Sequence, residues 1–174
     1  MGAKPPSSIR TLLEEFFQIF PDRKEEAEQL LLNRGISDPV EFSVDKPKAV
    51  HRLPCIGRNS RTLSKMLQER FAFAGTVVLG KEKWLDTKGM KLVASNPGFK
   101  SLHLSLREHW EGSAPMQFSD DKLSIFSATG SNPEEVTYLV WSGSDEPELW
   151  VYSGWDEHRF RDFGDYLEWL CAIK

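Results

Sequence analysis

Histidine and carboxylate side chains are the residues of this 174-residue sequence that are best suited to acid–base chemistry. The densest group is the run Asp156-Glu157-His158-Arg159, which has the composition of an acid–base pair. Because the run mixes both signs of charge between a predicted strand and a predicted helix, surface ion pairing is the simpler interpretation. A small hydrolase that uses His158 or His103 with a nearby carboxylate stays open as an alternative.

The histidines and the cysteines lack the spacing of a metal site. His103 and His109 are six positions apart in the sequence, and a helix would turn them about two thirds of a turn away from each other. Cys55 and Cys171 form no CxxC pair. The sequence also contains no GxGxxG, GxxxxGK[ST], HExxH or GxSxG motif. It therefore predicts no metal site, no cofactor and no catalytic residue.

Charge is distributed unevenly along the chain. Residues 1–111 carry 18 Lys and Arg against 14 Asp and Glu, whereas residues 112–174 carry 4 against 12. The acidic segment would repel a phosphate backbone and attract a cationic partner. We therefore expect a protein partner and no nucleic acid. The alternative is a solvated acidic face that only aids solubility.

Six residues in two short loops are predicted to bind this protein partner. They are Asp145, Glu146, Glu148, Trp155, Asp156 and Glu157. Trp155 is an aromatic residue in an acidic loop, which is typical of a binding hot spot, although a ring folded back over the core is an open alternative. Two pairs of adjacent carboxylates are interpreted as turn residues that face water: Asp120-Asp121 and Glu134-Glu135.

Helical periodicity dominates the first 35 residues. Apolar residues from Ile9 to Phe20 repeat with the spacing of one helix face, and Pro21 is predicted to end that helix. A second helix is predicted to begin at Asp22 as N-cap and to end near Gly35. The short break between the helices favours an antiparallel pair.

The middle of the chain is punctuated by Pro and Gly and is predicted as shorter elements. Asn59 is expected to cap a helix that has Arg70 at the edge of its apolar face. Further predictions are a short strand at Val40–Val44, a strand at Thr76–Leu79, a weak strand near Met90–Ala94, and a helix at Ser101–Trp110, where a strand is the alternative.

The last third alternates as β-strands do. Leu123–Ala128, Val136–Trp141 and Leu149–Tyr152 are separated by short turns, which predicts an antiparallel meander. Asp162 is expected to cap a closing helix. The predicted fold class is α+β, with N-terminal helices, a central antiparallel β-meander and a C-terminal helix packed on the sheet.

Two regions are distinguished in this organisation. Residues 1–50 are predicted to form an N-terminal helical hairpin and lead, and residues 51–174 an α+β domain; one continuous domain is the alternative. No apolar run reaches the roughly 18–20 residues that cross a bilayer, and the N-terminus lacks the apolar core of a signal peptide. We therefore expect a cytoplasmic protein with no membrane contact.

The C-terminal half resembles the end of a SUKH-superfamily domain. The segment LSIFSATGSNPEEVTYLVWSGSDEPELWVYSGWDEHRFRDFGDYLEWL carries the resemblance, with Val136–Trp141, Leu149–Tyr152 and Phe163–Leu170 in the places of the family's strands and closing helix. The resemblance covers roughly Leu53–Lys174, where Leu53-Pro54 and the following helix match the family's early segment.

This resemblance implies a non-enzymatic domain that binds another protein. The superfamily includes bacterial immunity proteins, which block a toxin inside the producing cell, and fungal regulators of cell-wall synthesis. The expected function is therefore a cytoplasmic immunity protein that neutralises a toxin, for example a basic nuclease, through an acidic surface. A regulatory scaffold of the same fold is the alternative that the resemblance leaves open.

Overall fold

The computed structural model describes residues 8–33, 41–130, 133–154 and 156–172. Their α+β architecture confirms the predicted fold class. In chain order the elements are α1 (Ile9–Asn33), β1 (Phe42–Val44), β2 (Arg52–Pro54), β3 (Ser60–Thr62), α2 (Lys65–Phe73), β4 (Val77–Leu79), β5 (Glu82–Trp84), α3 (Thr87–Ser95), α4 (Pro97–His109), α5 (Ala114–Gln117), a 3-10 turn (Asp120–Lys122), β6 (Leu123–Thr129), β7 (Glu135–Val140), β8 (Glu148–Ser153), β9 (Asp156–Phe160) and α6 (Phe163–Ala172).

Seven of these strands form one antiparallel sheet in the order β1-β4-β5-β6-β7-β8-β9. From β4 onwards each strand pairs with the next one in the chain, so the predicted meander is confirmed and is longer than predicted. The remaining strands, β2 and β3, form a separate hairpin. A bulge between Ile125 and Ser127 places an extra residue, Phe126, in β6.

Helices cover both faces of the sheet. On one face, here called the α6 face, the buried indole of Trp84 contacts the ring of Phe16 from α1 at 5.6 Å and that of Tyr166 from α6 at 6.1 Å. On the opposite face, the α4 face, the ring of Tyr138 contacts that of His103 from α4 at 5.8 Å. The N-terminal helix therefore contributes to the same core as the sheet.

The predicted helical hairpin at the N-terminus is wrong, because one helix, α1, runs from Ile9 to Asn33 and passes through Pro21. Proline removes a single N–H from the helix and fixes φ at a helical value. Its ring also clashes with the carbonyl four residues earlier, so the helix continues through Pro21 at a cost that the burial of Leu13 and Phe16 in its first turns offsets. The predicted helix end at Gly35 lies outside the described residues.

The N-cap predicted at Asn59 is also wrong. Residues 60–62 form strand β3, and the helix begins after Ser64, whose Oγ accepts a hydrogen bond from the N–H of Leu67 at 3.4 Å. Arg70 does not lie at an edge, since its side chain is fully buried. Its guanidinium donates to the carbonyls of Ala74 and Gly75, and burial lowers its pKa to about 9, so it stays charged at neutral pH.

The segment predicted as a weak strand near Met90–Ala94 is helix α3 instead. Asp86 caps it by accepting a hydrogen bond from the N–H of Gly89 at 2.8 Å. The helix predicted at Ser101–Trp110 and the cap at Asp162 are confirmed, and Asp162 accepts from the N–H of Asp165 at 3.0 Å. Among the residues described, no helix has the length and apolarity that a bilayer crossing requires.

Candidate functional site

The six residues predicted to bind a partner do not form one surface. Asp145, Glu146 and Glu148 lie at the start of β8, whereas Asp156 and Glu157 lie beyond its end, where Ser153 pairs with Asp156. The ends of a six-residue strand are about 17 Å apart. Trp155 lies outside the described residues.

Three of these carboxylates are engaged within the fold. The Oε1 atom of Glu146 accepts a hydrogen bond from the N–H of Met66 at 3.0 Å, and Oε2 of Glu148 accepts one from the indole of Trp150 at 2.9 Å. Glu157 forms an ion pair with Arg159 at 2.5 Å. A partner would have to break these contacts in order to use the carboxylates, so Asp145 and Asp156 are the predicted acids that remain available.

Asp156 belongs to a different group of carboxylates, at the end of the sheet near the β6–β7 and β8–β9 turns. Glu82 of β5 is paired with Thr129 of β6. Glu135 of β7 is paired with Ser153 of β8, and Ser153 is paired with Asp156 of β9. The N–H of Glu135 donates to Oγ1 of Thr129 at 3.1 Å, which joins the two sets into one row. Directly paired residues point to the same face, so the row crosses five strands on the α6 face.

This row forms one wall of a groove of about 230 Å³, here called the acidic groove. The second row of the sheet provides its floor with Ser127, Thr137, Val151 and His158, and α6 provides the other wall with Tyr166, Trp169 and Leu170. The groove thus combines three carboxylates, several hydroxyl groups and an aromatic wall. Glu135 and Asp156 are two strands apart, which corresponds to about 10 Å between their backbones.

Glu82 is the innermost carboxylate of the acidic groove. Its Oε1 atom accepts hydrogen bonds from Ser127 Oγ at 2.6 Å and from Tyr166 Oη at 3.3 Å. Burial raises the pKa of Glu82 above its ordinary value; the two hydrogen bonds oppose this rise, and the nearby charge of Glu135 adds to it. A cation that entered the groove would compensate the burial of this charge and favour the ionised form.

No basic residue neutralises the acidic groove within the part of the chain that the structure describes. Glu82 and Asp156 form no ion pair there, and Glu135 Oε1 accepts only from Ser153 Oγ, at 2.7 Å. Carboxylates brought together without counter-charges raise the negative potential of a cleft. The groove is therefore suited to receive a cationic group from outside.

The two histidines considered for catalysis lie in different environments. His158 lines the acidic groove and contacts the ring of Trp169 at 5.4 Å, but it makes no hydrogen bond to a carboxylate among the described residues. His103 is buried on the α4 face. Its Nδ1 lies 3.0 Å from Tyr138 Oη, and its Nε2 lies 3.0 Å from Asp120 Oδ1.

The His103 network is closed by Arg107, which donates to Asp120 Oδ1 at 2.5 Å. Burial lowers the pKa of His103, against the opposing effect of Asp120. Burial would raise the pKa of Asp120, but the hydrogen bonds from Arg107 and His103 outweigh it and keep that pKa below its ordinary value. Each ring nitrogen of His103 is occupied by a neighbour. The network thus fastens the 3-10 turn to α4 and does not present a free base.

The described residues contain no cluster of three or more His, Cys, Asp or Glu side chains that is arranged to hold a metal ion. Cys55 is buried and Cys171 is partly buried, and both are free thiols. The absence of a metal site and of a cofactor stays a prediction.

Of the three carboxylates in the acidic groove, the sequence indicated only Asp156. Glu135 was interpreted as a turn residue that faces water, and Glu82 belongs to β5, a strand that the sequence did not predict. The alternation in Glu82-Lys83-Trp84 could have indicated this strand, because in a strand Glu82 lies on the same face as the buried Trp84. No protein-family model, no curated protein and no solved structure matches this chain.

Proposed function

We propose that this chain is a non-enzymatic protein-binding domain of the immunity-protein type, which neutralises a basic toxin through the acidic groove. One observation carries the proposal: Glu82, Glu135 and Asp156 lie in one row on one face of the sheet and have no basic partner among the described residues. The cytoplasm is the proposed location, as expected for a protein that protects the cell producing the toxin.

The chemistry of the acidic groove favours an Arg or Lys side chain as its occupant. Glu135 and Asp156 offer carboxylate acceptors near the rim, and the ring of Trp169 offers a face for a cation. Nuclease toxins carry basic surfaces because they bind a phosphate backbone. An acidic protein that occupies such a surface competes directly with the nucleic acid.

The proposed interface differs from the one that the sequence predicted, because it lies at one end of the sheet only. Asp156 is retained from the sequence prediction, and Glu82 and Glu135 are added. Asp145 lies at the other end of β8, and Glu146, Glu148 and Glu157 are engaged in contacts within the fold. The interface is therefore centred on the β6–β7 and β8–β9 turns.

The test is protection from a toxin. The product of the gene adjacent to the one that encodes this chain is expressed in a heterologous host, alone and together with this chain, and growth is recorded. We expect the wild-type chain to restore growth and the double variant Glu135→Lys/Asp156→Lys to fail. Asp145→Lys is the matched control, because it reverses a charge at the far end of β8, and it should protect as the wild type does.

Binding measurements on the same pair separate the mechanism from the function. The affinity should fall steeply with salt for the wild type and for Asp145→Lys, and the slope should be shallower for the double variant. Equal affinities and equal salt slopes for all three proteins would overturn the role of the acidic groove. Failure of the wild type to protect against the toxin would overturn the immunity function.

Two alternative functions would use the same region. A regulatory scaffold of this fold would place a basic segment of a host protein in the acidic groove, and a stable complex with a host protein in the absence of any toxin would favour it. A small hydrolase is the second alternative, because His158 and Glu82 line one groove. Ester hydrolysis by the wild type that disappears in His158→Ala would favour the hydrolase.

A further inference from the structure

A second cavity lies on the other side of the sheet and has the opposite charge. It has a volume of about 520 Å³ and lies between the β2–β3 hairpin, α3 and the first turn of α4, with Ile125 of β6 at its base. Ile125 pairs with Tyr138, which points to the α4 face. This cavity is therefore separate from the acidic groove.

Three cationic side chains line this cavity, here called the basic cavity: Arg58, Lys91 and Lys100. All three residues are exposed, and none of these side chains forms an ion pair among the described residues. The neighbouring carboxylate of Asp121 forms no ion pair with the guanidinium of Arg58; its Oδ1 accepts from the backbone N–H groups of Arg58 and Asn59, at 2.9 and 3.1 Å.

The rest of the lining divides into a polar part and an apolar part. The side chains of Asn59 and Ser60 supply hydrogen-bonding groups near the cations, whereas the hydroxyl of Ser95 donates to the carbonyl of Leu92 at 2.8 Å. The apolar part is formed by Pro54, Cys55, Ile56, Met90, Ala94 and Ile125. Cavities of roughly 300–1,000 Å³ with an apolar lining and a few convergent polar groups are typical of small-molecule sites.

We propose that the basic cavity binds a small organic phosphate of about the size of a mononucleotide. Three cations without ion-pair partners favour a ligand with more than one negative charge, and the hydroxyl of Ser60 and the amide of Asn59 suit its oxygens. Inorganic phosphate would satisfy the cations but leave the apolar part of the cavity unused. A phosphate that carries a flat organic group uses both parts.

The experiment is calorimetric titration of the full chain at low ionic strength with three probes: AMP, inorganic phosphate and adenosine. AMP should bind at least about tenfold more tightly than either of the others, because only AMP combines the charge with the apolar group. Equal affinities for AMP and inorganic phosphate would overturn the proposal, as would no measurable binding of AMP.

Two lysines of the same helix provide a matched pair of variants. Lys91 lines the basic cavity, whereas Lys88 is exposed on α3 and does not line it. Lys91→Gln should weaken AMP binding by roughly tenfold, and Lys88→Gln should leave it unchanged within about twofold. If both variants weaken binding equally, the attraction is a general effect of surface charge and the proposal is wrong.

Amide NMR spectra give an independent measurement of the site. Addition of AMP should shift the resonances of Gly57, Arg58 and Ser95 and leave those of the acidic groove unchanged. An acidic peptide such as hexaglutamate serves as the competing probe. Tighter binding of that peptide than of AMP at these same amides would identify a peptide site and would overturn the assignment to an organic phosphate.

Discussion

The carboxylate of Glu146 accepts a hydrogen bond of 3.0 Å from the backbone N–H of Met66, at the first turn of α2. The first N–H groups of a helix have no partner within it, and a negative charge there also interacts favourably with the helix dipole. Ser64 satisfies a second group, the N–H of Leu67. The loop between β7 and β8 is therefore bound to α2 across 80 positions of sequence.

Replacement of Glu146 should destabilise the protein without abolishing protection from the toxin. We expect Glu146→Ala to lower the free energy of unfolding by about 1 kcal/mol, as the loss of a helix cap does. Asp145→Ala, next to it in the same loop, is the control and should have little effect, because Asp145 is exposed. Urea denaturation measures both values, and equal effects of the two variants would contradict the capping role.

Glu82 should make stability depend on pH. Burial raises its pKa above the ordinary value of 4.5, so the folded state holds the proton more tightly than the unfolded chain. This contribution to the free energy of unfolding is complete below pH 4.5 and is lost as the pH rises through the folded-state pKa. Glu82→Gln removes it, so the stability of the variant relative to the wild type should increase from pH 4.5 upwards.

Urea denaturation at a series of pH values measures this difference for Glu82→Gln. His103 is present in both proteins, so its own contribution cancels. Glu134→Gln is the matched control, because Glu134 is an exposed carboxylate in the β6–β7 turn, next to Glu135 of the acidic groove. A difference between Glu82→Gln and the wild type that stays constant over the pH range would show that Glu82 ionises equally in the folded and unfolded states.

The His103 network predicts a specific tautomer. Since Asp120 keeps its negative charge, Nε2 of His103 carries the proton and donates to Oδ1, and Nδ1 accepts from the hydroxyl of Tyr138. Nitrogen-15 NMR of the side chain should therefore report the Nε2–H tautomer and a pKa below 6.5. Tyr138→Phe removes the donor to Nδ1 and should raise that pKa. A pKa above 6.5 in the wild type would contradict this arrangement.

The same titration has a consequence for stability. The pKa of His103 is lowered on folding, so the unfolded chain binds its proton more readily. The stabilising contribution of the neutral ring is present above pH 6.5 and is lost as the pH falls toward the folded-state value. In a His103→Gln variant the free energy of unfolding should lack this decrease, which urea denaturation at pH 5 to 7.5 measures.

Pro21 should lower the stability of α1. A proline inside a helix costs about 3 kcal/mol relative to alanine, because the carbonyl four residues earlier loses its partner. Pro21→Ala should therefore raise the free energy of unfolding by up to about 3 kcal/mol and increase the helical signal in circular dichroism. Pro47→Ala is the control, because Pro47 is exposed and lies outside any helix or strand. A decrease in stability of Pro21→Ala would show that the proline is required by the fold.

The meander and the closing helix were predictable because their signals are local. Val136 to Val140 is almost uniformly buried and β-prone, and the turns on either side of β7 are short. Asp162 precedes an apolar stripe at helix spacing. Elements of this kind depend on residues that are neighbours in sequence, so the pattern and the structure agree.

Other elements depend on distant partners. β9 consists of Asp156-Glu157-His158-Arg159-Phe160, which reads as a charged loop, and it becomes a strand only because β8 pairs with it. Arg70 is charged, and its burial depends on the carbonyls of Ala74 and Gly75 and on the rings around it. From residue type alone, charged residues such as these are expected at the protein surface.

The acidic groove could be predicted only in part for the same reason. Asp156 and Glu135 are 21 positions apart in sequence, and Glu82 is a further 53 positions away. They form one row because β5 pairs with β6, and three hairpins then bring β6, β7, β8 and β9 into register. The charge asymmetry indicated the segment that contains Glu135 and Asp156, but it indicated neither Glu82 nor which carboxylates share a face.

The packing of α1 on α6 has a consequence for synthesis on the ribosome. Ile9 of α1 lies against Gly164 of α6, and Cys171 of α6 lies against the backbone of Leu12. Translation at about 5–20 residues per second separates the emergence of these two helices by roughly 8–30 s. During that interval α1 can pack against α2 and against Trp84 of β5 but not against α6, so the core that it shares with the sheet stays incomplete until the last helix emerges.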